Sequence, residues 1–268
     1  MKKNIMRISY IALMLVALFL YILPKNNSQK ELDSNDAKIV TLANLLPTST
    51  IPLDKYDHTY FVLGYSNQHK QSGYCAWVLT QYMVRNKHVK RENSFREDSS
   101  LKCCMSFNSD YNRSGYDRGH LCPSGDMTWD KKANRETFLL SNICPQHHKL
   151  NQGRWNDLEK FSRSWADKHD SLLIITGPIF EPNKGTIGKR KVTVPGAFYK
   201  ILIDISSPNY KAIAFIMSNE PAKNRLFSYA TTIKEVEKQT GLNFFPKYDN
   251  HDLIKQLETM CDTTAWKK

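Results

Sequence analysis

The chain has 268 residues, of which 41% are hydrophobic and 24% are charged. These proportions are ordinary for a globular protein, and they exclude a mainly disordered or fibrous chain. Lys and Arg outnumber Asp and Glu by 38 to 26, which gives a net charge of +12. Such an excess attracts a polyanion such as nucleic acid, or an anionic membrane surface.

The first 24 residues have the pattern of a targeting segment. Lys2, Lys3 and Arg7 flank the start of an apolar run over residues 8–23. This run would extend about 24 Å as a helix, short of a hydrocarbon core of about 30 Å, which favours a signal peptide. No small-residue cleavage pattern follows Pro24, so an uncleaved signal-anchor, tethering the protein through residues 8–23, stays open. In both cases we expect the rest to be exported: periplasmic, secreted or membrane-anchored, with the domain outside the cytoplasm.

The six cysteines bear on the same question. An even number of cysteines in an exported chain favours disulfides, although six allow 15 pairings and the sequence does not select one. A zinc site is disfavoured because there is no Cys-x-x-Cys pair, and Cys144-x-x-His147 has no second half.

Composition divides the remaining chain into two parts. Residues 25–55 are polar at first and then mixed, which predicts a stalk or linker, and residues 56–268 read as one domain. Runs of apolar, β-branched and aromatic residues predict strands at 60–64, 76–80, 171–176, 198–203 and 212–217.

Two segments have the pattern of helices. Residues 151–168 carry an apolar stripe formed by Trp155, Leu158, Phe161 and Trp165. Residues 231–240 begin with threonine and end before glycine, as a capped helix does. Because strands and helices do not alternate regularly, we expect an α+β domain rather than a doubly wound one.

Residues 113–159 hold the densest group of side chains suited to catalysis. A neutral histidine such as His120 can take a proton from water near pH 7. Arg118 lies two positions earlier, so in an extended chain both side chains point to the same face. The fixed positive charge of an arginine suits phosphate oxygens.

The predicted helix that follows adds two oxygen ligands. Asn151 and Glu159 are eight residues apart, and eight helical steps end about 80° past two full turns, so the two faces overlap partly. Such hard oxygen ligands suit Mg²⁺ rather than zinc. A base, an arginine and a magnesium ion are the parts that phosphodiester hydrolysis requires.

Each of these residues also has a plain structural reading. Residues 117–120 could form a turn with an exposed histidine, and Asn151 could be only a helix cap. Glu159 could be a solvated partner of Arg163, four residues later. The occurrence of all three segments in this order and at this spacing favours the functional reading.

Three motifs carry a family resemblance: D-R-G-H-L-C-P at 117–123, S-N-I-C-P-Q at 141–146 and L-N-Q-G-R-W-N-D-L-E at 150–159. They closely resemble the DNA/RNA non-specific endonuclease family, which includes secreted bacterial nucleases and mitochondrial endonuclease G. The resemblance extends over roughly residues 60–245. It implies the ββα-metal (His-Me finger) fold, with a central mixed or antiparallel sheet flanked by helices.

The resemblance implies a catalytic centre of three residues. His120 would be the general base that activates the attacking water. Asn151 would be the direct protein ligand of a Mg²⁺ ion, for which Mn²⁺ can substitute, and Glu159 would orient metal-bound water.

The resemblance also implies supporting residues. Arg118 would stabilise the pentacovalent phosphate, and Arg96 would bind a further phosphate. Asn142 would support the residues of the site without contacting the substrate itself. Asp117 would shape the turn rather than touch substrate. Cys122 and Cys144 depart from the commonest family pattern and could form a bridge in a subgroup.

Together these observations predict a Mg²⁺-dependent endonuclease that hydrolyses DNA and RNA with little sequence specificity and leaves 5′-phosphates. The family also implies a homodimer. Two alternatives stay open: an exported nucleic-acid-binding protein without catalysis, and a phosphodiesterase that acts on a smaller substrate.

Overall fold

A computed structural model describes residues 46–205, 210–246 and 251–267. The predicted leader over residues 1–24 and most of the predicted stalk lie outside these residues. Within the described part, every helix is too short or too polar to cross a bilayer.

The strands, numbered in chain order, are β1 (Thr48–Ser49), β2 (Asp54–Asp57), β3 (Val62–Ser66), β4 (Gln71–Thr80), β5 (Asp117–His120), β6 (Ile143–Gln146), β7 (Ser171–Ile179), β8 (Thr186–Ile187), β9 (Val192–Thr193), β10 (Ala197–Asp204), β11 (Lys211–Ser218), β12 (Ala230–Thr231) and β13 (Leu242–Asn243). The α-helices are α1 (Gln81–Arg85), α2 (Asn108–Tyr111), α3 (Lys131–Glu136), α4 (His148–Leu150), α5 (Asn156–Lys168), α6 (Ile233–Thr240) and α7 (His251–Thr259). The expected α+β class is confirmed.

The central sheet has seven strands in the order β12-β11-β10-β7-β4-β3-β2, and every neighbouring pair is antiparallel. The strand predicted at 171–176 corresponds to β7, which lies in the middle of the sheet. The other four predicted strands correspond to β3, β4, β10 and β11. Their continuous apolar runs reflect burial on both faces of the sheet.

One face of the sheet is covered by α5. Alternate residues of β4, such as Trp77 and Leu79, belong to the same buried cluster as Leu158 and Trp165 of α5. The alternate side chains on one face of β4 therefore pack against the apolar stripe of α5. Burial of these large side chains stabilises the packing of the helix on the sheet.

The hairpin of β5 and β6 forms a separate two-stranded sheet. It is joined to the central sheet where the Ser72 hydroxyl donates to the backbone oxygen of Ser141, 2.7 Å away. Gly119 is required within it, because a Cβ there would lie 2.4 Å from Oε1 of Gln146. The hairpin, α4 and α5 follow one another in the order strand, strand, helix.

The predicted helix over 151–168 is wrong in its first turn. Asn151–Trp155 forms a π-helical turn in which Gly153 has non-helical angles, φ −100° and ψ −118°, and α5 begins only at Asn156. The expectation that Asn151 and Glu159 share part of one helical face therefore does not apply, because this break lies between the two residues. The helix predicted at 231–240 is confirmed as α6, capped by Thr232 and ended by Gly241 at φ +69°.

The structure differs from two further expectations. Residues assigned to the linker contribute β1, which pairs with β13, and the start of β2. All six cysteines are free thiols, so the suggested bridge between Cys122 and Cys144 is not formed. Instead the buried Cys122 thiol lies against Cys75, and burial raises the pKa of Cys122 well above its ordinary value.

Candidate active site

His120 lies at the end of β5, where two aromatic rings pack against its imidazole. Its imidazole lies 5.4 Å from the ring of Phe95 and 4.9 Å from that of Phe138, measured between centroids. The side chain is buried, and its Nε2 has no hydrogen-bond partner among the described residues. The rings hold the imidazole in place, and an external partner can reach it only through the 9% of the residue that stays exposed.

The electrostatic environment keeps this imidazole neutral. Burial, and to a smaller extent the positive charge of Arg91, together lower the pKa of His120 to about 3. A neutral imidazole can accept a proton, which a base must do.

Asn142 supports the chain directly after His120. Its Nδ2 donates to the backbone oxygens of Cys122 and Thr137, at 2.9 Å each, and its Oδ1 accepts from the Cys122 amide at 2.9 Å. The side chain is fully buried. These three bonds and the complete burial of the side chain keep the amide away from substrate, so we assign it as a positioning residue.

Arg118 lies on the same side of the hairpin as His120, as the spacing predicted. Its guanidinium donates to Oδ1 and to the backbone oxygen of Asn108, and to Oδ1 of Asn112, at 3.0 to 3.1 Å. It lies 5.4 Å from the ring of Phe95, which also contacts His120. The guanidinium is thus held in one orientation and shares the ring of Phe95 with the imidazole.

Arg96 is not brought to the imidazole. Its guanidinium donates to Oε1 of Glu92 at 2.6 Å and to the backbone oxygen of Arg135 at 3.3 Å. Neighbouring residues of an extended chain point to opposite sides, and here it is Phe95 that faces His120. The phosphate-binding role of Arg96 stays a prediction.

Arg91 is a second arginine near His120, and its charge lowers the pKa of the imidazole. Its guanidinium lies 5.1 Å from the ring of Phe138, which packs on His120. Its charge acts on both His120 and Glu159. Burial lowers the pKa of Arg91, while Glu159 opposes that shift. The sequence signal was the basic run just before 95–98, which was not considered.

Asn151 is joined to the hairpin through Asp117. Its Nδ2 donates to Oδ2 of Asp117 at 2.8 Å, and His148 contacts the same oxygen at 3.0 Å. Among the described residues no donor contacts Oδ1 of Asn151. Asp117 and His120 are three residues apart on β5, about 10 Å along an extended chain, so this bond attaches Asn151 to the strand that carries His120. Asp117 therefore orients Asn151 rather than only shaping the turn.

Glu159 is a half-buried carboxylate that makes no hydrogen bond or ion pair within the described part of the chain. Burial raises its pKa, although the cations Lys200, Arg163 and Arg91 oppose the shift. The solvated pairing of Glu159 with Arg163 is not observed, because Arg163 instead donates to Oδ1 of Asp126 at 2.7 Å. An unpaired carboxylate among cations is suited to accept from water or from a hydrated ion.

Lys200 is the charged residue that sequence reasoning overlooked most completely. It lies on the buried face of β10, with its ammonium 5.3 Å from the ring of Trp77 and 5.0 Å from that of Trp155. Burial lowers its pKa, while Glu159 and Asp126 oppose that shift. The signal was a lysine inside an otherwise apolar strand, since a buried charge needs a partner.

The donors fit a hydrated divalent cation better than a closed metal cage. The described residues contain no cluster of three or more His, Cys, Asp or Glu side chains that could hold a metal. They do offer the uncommitted Oδ1 of Asn151 and the unpaired carboxylate of Glu159. Magnesium keeps several waters and takes few protein oxygens, so this sparse set is compatible with it.

Comparison with known proteins places this site in a family. Residues 43–251 match the DNA/RNA non-specific endonuclease family. Human mitochondrial endonuclease G is 36% identical over 187 residues, which cover 63% of this chain and 63% of its own length. Nuclease C1 of Cunninghamella echinulata var. echinulata is 33% identical, over 79% of this chain and 89% of its own.

Solved structures agree. A crystal structure of an EndoG/EndoGI complex superposes with a TM-score of 0.73 and 29% identity, over 86% of this chain and 97% of that one. The chain spans about 63% of the length of human endonuclease G and of zebrafish mitochondrial nuclease EXOG. Together with the geometry of His120, Asn151 and Glu159, these matches show that the chain belongs to the DNA/RNA non-specific endonuclease family.

Proposed function

We propose that the protein is a Mg²⁺-dependent endonuclease that hydrolyses phosphodiester bonds of DNA and RNA with little sequence specificity. The observation that carries the proposal is the buried, neutral His120, packed between two aromatic rings that also contact Arg91 and Arg118. Family membership supports the substrate class.

In this mechanism His120 is the general base. Its imidazole takes a proton from a water molecule, whose oxygen forms a bond to phosphorus as the bond from phosphorus to the 3′ oxygen breaks and that oxygen takes a proton from another water. The products then carry 5′-phosphates. An anionic phosphate beside Arg91 offsets the positive charge that lowers the pKa of His120, so substrate binding makes the imidazole a stronger base.

The remaining residues bind and orient. Arg118 and Arg91 contact non-bridging phosphate oxygens, where charge develops during the reaction. Asn151 and Glu159 would hold a hydrated Mg²⁺ ion, for which Mn²⁺ can substitute. When bound, this ion would supply charge neutralisation at the phosphate and at the departing oxygen. Contacts to phosphate carry no base identity, which accounts for broad specificity.

The test is degradation of plasmid and RNA by the purified protein. We expect EDTA to abolish cleavage and added Mg²⁺ or Mn²⁺ to restore it. His120→Ala should lose about 10²–10⁴-fold in turnover with nucleic-acid binding nearly unchanged. His251→Ala, an exposed histidine on α7, is the matched control. Wild-type turnover in His120→Ala, or activity indifferent to EDTA, would refute the mechanism.

The same assay separates the two alternatives. A binding protein without catalysis would retain plasmid and RNA without cutting them, with or without a divalent cation. A phosphodiesterase for smaller substrates would cleave bis-nitrophenyl phosphate but neither polymer.

We further propose that the domain is exported and dimeric. Export rests on the basic and apolar pattern of residues 1–24, whereas endonuclease G and EXOG are named as mitochondrial. Fractionation of cells that express the full chain, with and without residues 1–24, tests the location. Light scattering of the purified domain tests the dimer.

A further inference from the structure

An exposed aromatic group lies outside the site described above. Tyr82 of α1 is 56% exposed, and it is the one large hydrophobic side chain so exposed within the described ranges. Its ring meets Trp129 nearly edge-on at 6.1 Å, and Trp129 meets Tyr60 in the same manner at 4.7 Å. We refer to Tyr60, Tyr82 and Trp129 as the aromatic group. The two neighbours are half-buried, and Trp129 packs against Tyr82 while more than half of the Tyr82 residue stays exposed.

A basic strip runs past this group. It comprises Lys87, His88, Lys90 and Arg91, all of them exposed. The strip is fixed in its middle, where the amides of His88 and Val89 donate to the backbone oxygen of Thr128 at 3.1 and 2.8 Å. Thr128 directly precedes Trp129, so the strip and the aromatic group lie side by side.

The strip ends at the candidate active site. The guanidinium of Arg91 lies over the ring of Phe138, and a single phenyl ring therefore separates it from His120. Four residues of extended chain separate Lys87 from Arg91, about 13 Å. A strand whose scissile phosphate lies at His120 would thus meet the positive strip and then the aromatic group.

The acids nearby do not block this path. Asp130 caps α3 by accepting from the amide of Ala133 at 2.7 Å. Glu136 accepts from the amide and the hydroxyl of Thr59 at 2.8 and 2.6 Å. Both carboxylates lie on the side of Tyr60, where they raise its pKa together with burial, the larger cause. Phosphates would therefore follow the strip, and uncharged bases would face Tyr82.

We propose that the aromatic group and the basic strip form a subsite for a single-stranded segment of the nucleic-acid substrate. One base stacks on Tyr82 while its flanking phosphates contact Lys87, Lys90 and Arg91. This inference rests on the proposed function, since it extends the path of the same substrate. Every base has an aromatic face, so such stacking tolerates any sequence. The bases of a duplex stay stacked on one another and are not available to Tyr82, so the subsite selects single strands.

The test measures binding and not turnover, so it does not depend on the catalytic proposal. In a His120→Ala background, fluorescence anisotropy compares a labelled single-stranded oligonucleotide with a blunt duplex of the same length. Tyr82→Ala should weaken single-strand binding by roughly 5- to 150-fold, the range measured for loss of one stacked base, and leave duplex binding unchanged. Tyr82→Phe, which keeps the ring, should bind as well as Tyr82.

A second pair of variants tests the strip. Lys87→Ala with Lys90→Ala should reduce the slope of log affinity against log salt by about 0.7 for each lost single-strand phosphate contact. Lys255→Ala, which removes an exposed charge from α7, should leave the slope unchanged. Thermal melting confirms that each variant is folded.

Three outcomes would overturn the subsite: equal loss of single-strand and duplex binding in Tyr82→Ala, failure of Tyr82→Phe to retain binding, or equal salt slopes in the strip and Lys255 variants. Failure of the catalytic proposal looks different, because plasmid would then stay uncut while this binding pattern persisted.

Discussion

The two halves of the candidate site are positioned by different forces. The hairpin half, with His120 and Asn142, is held by buried hydrogen bonds between the Asn142 side chain and the backbone, and by a glycine that admits no side chain. The helical half, with Asn151 and Glu159, contains a π turn, and Asn151 is tied to the hairpin by one bond from its side chain. The base is therefore fixed by the fold, whereas the proposed metal ligands are set by a few polar contacts.

The largest effect on activity is expected in the helical half. Asn151→Ala removes the proposed metal ligand, and loss of several kcal/mol of transition-state stabilisation predicts about a 10³-fold fall in kcat. Asn156→Ala, at the start of α5, is the control. Steady-state cleavage of plasmid across a Mg²⁺ titration measures both. A variant whose activity and Mg²⁺ dependence both match the parent would remove Asn151 from the mechanism.

The hairpin half should respond mainly in stability. Asn142→Ala leaves the backbone groups of Cys122 and Thr137 buried without partners, which should cost about 3 kcal/mol in free energy of unfolding. Asn243→Ala, an exposed asparagine on β13, should change little. Urea unfolding measures the difference. Equal midpoints for the two variants would show that the hairpin is not held as described.

Asp117 lies between the two halves and should have an intermediate effect. Asp117→Ala removes the carboxylate that orients Asn151, and loss of such an outer partner typically costs about 10–100-fold in metal affinity or activity. The variant should need a higher Mg²⁺ concentration for cleavage, and excess Mg²⁺ should partly restore its activity. Asp57→Ala, on the edge strand β2, serves as the control. If the Mg²⁺ requirement does not change, Asp117 only shapes the turn.

The smallest effect concerns the acid limb of the pH profile. The low pKa of His120 predicts that kcat/KM falls only well below pH 6.5. Because Arg91 is the second cause of that shift, Arg91→Gln should move the inflection upwards, and Lys90→Gln should not. An unmoved limb in Arg91→Gln would mean that burial alone sets the pKa.

The same residue links pH to stability. The unfolded chain binds a proton near pH 6.5 and the folded chain only near pH 3, so the free energy of unfolding should fall as the pH drops through that interval. The loss should be smaller in Arg91→Gln.

Local patterns predicted the strands and the family motifs, because these depend on side-chain period and short spacing. The π turn was missed because glycine permits either a helix or a break, and the sequence pattern does not show that Gly153 takes non-helical angles. Arg91 and Lys200 were missed for a different reason. Their roles depend on chain segments that are distant in sequence and meet only in the folded domain.

The burial of Lys200 between two indole rings has a practical consequence. Trp77 and Trp155 both lie close to the ammonium of Lys200, which interacts electrostatically with Glu159. A cation arriving at Glu159 changes that field, and indole emission responds to the charge around it. We therefore expect the intrinsic fluorescence of the unlabelled protein to report occupancy of the site, with Lys200→Met, in which the ammonium is absent, giving a muted response.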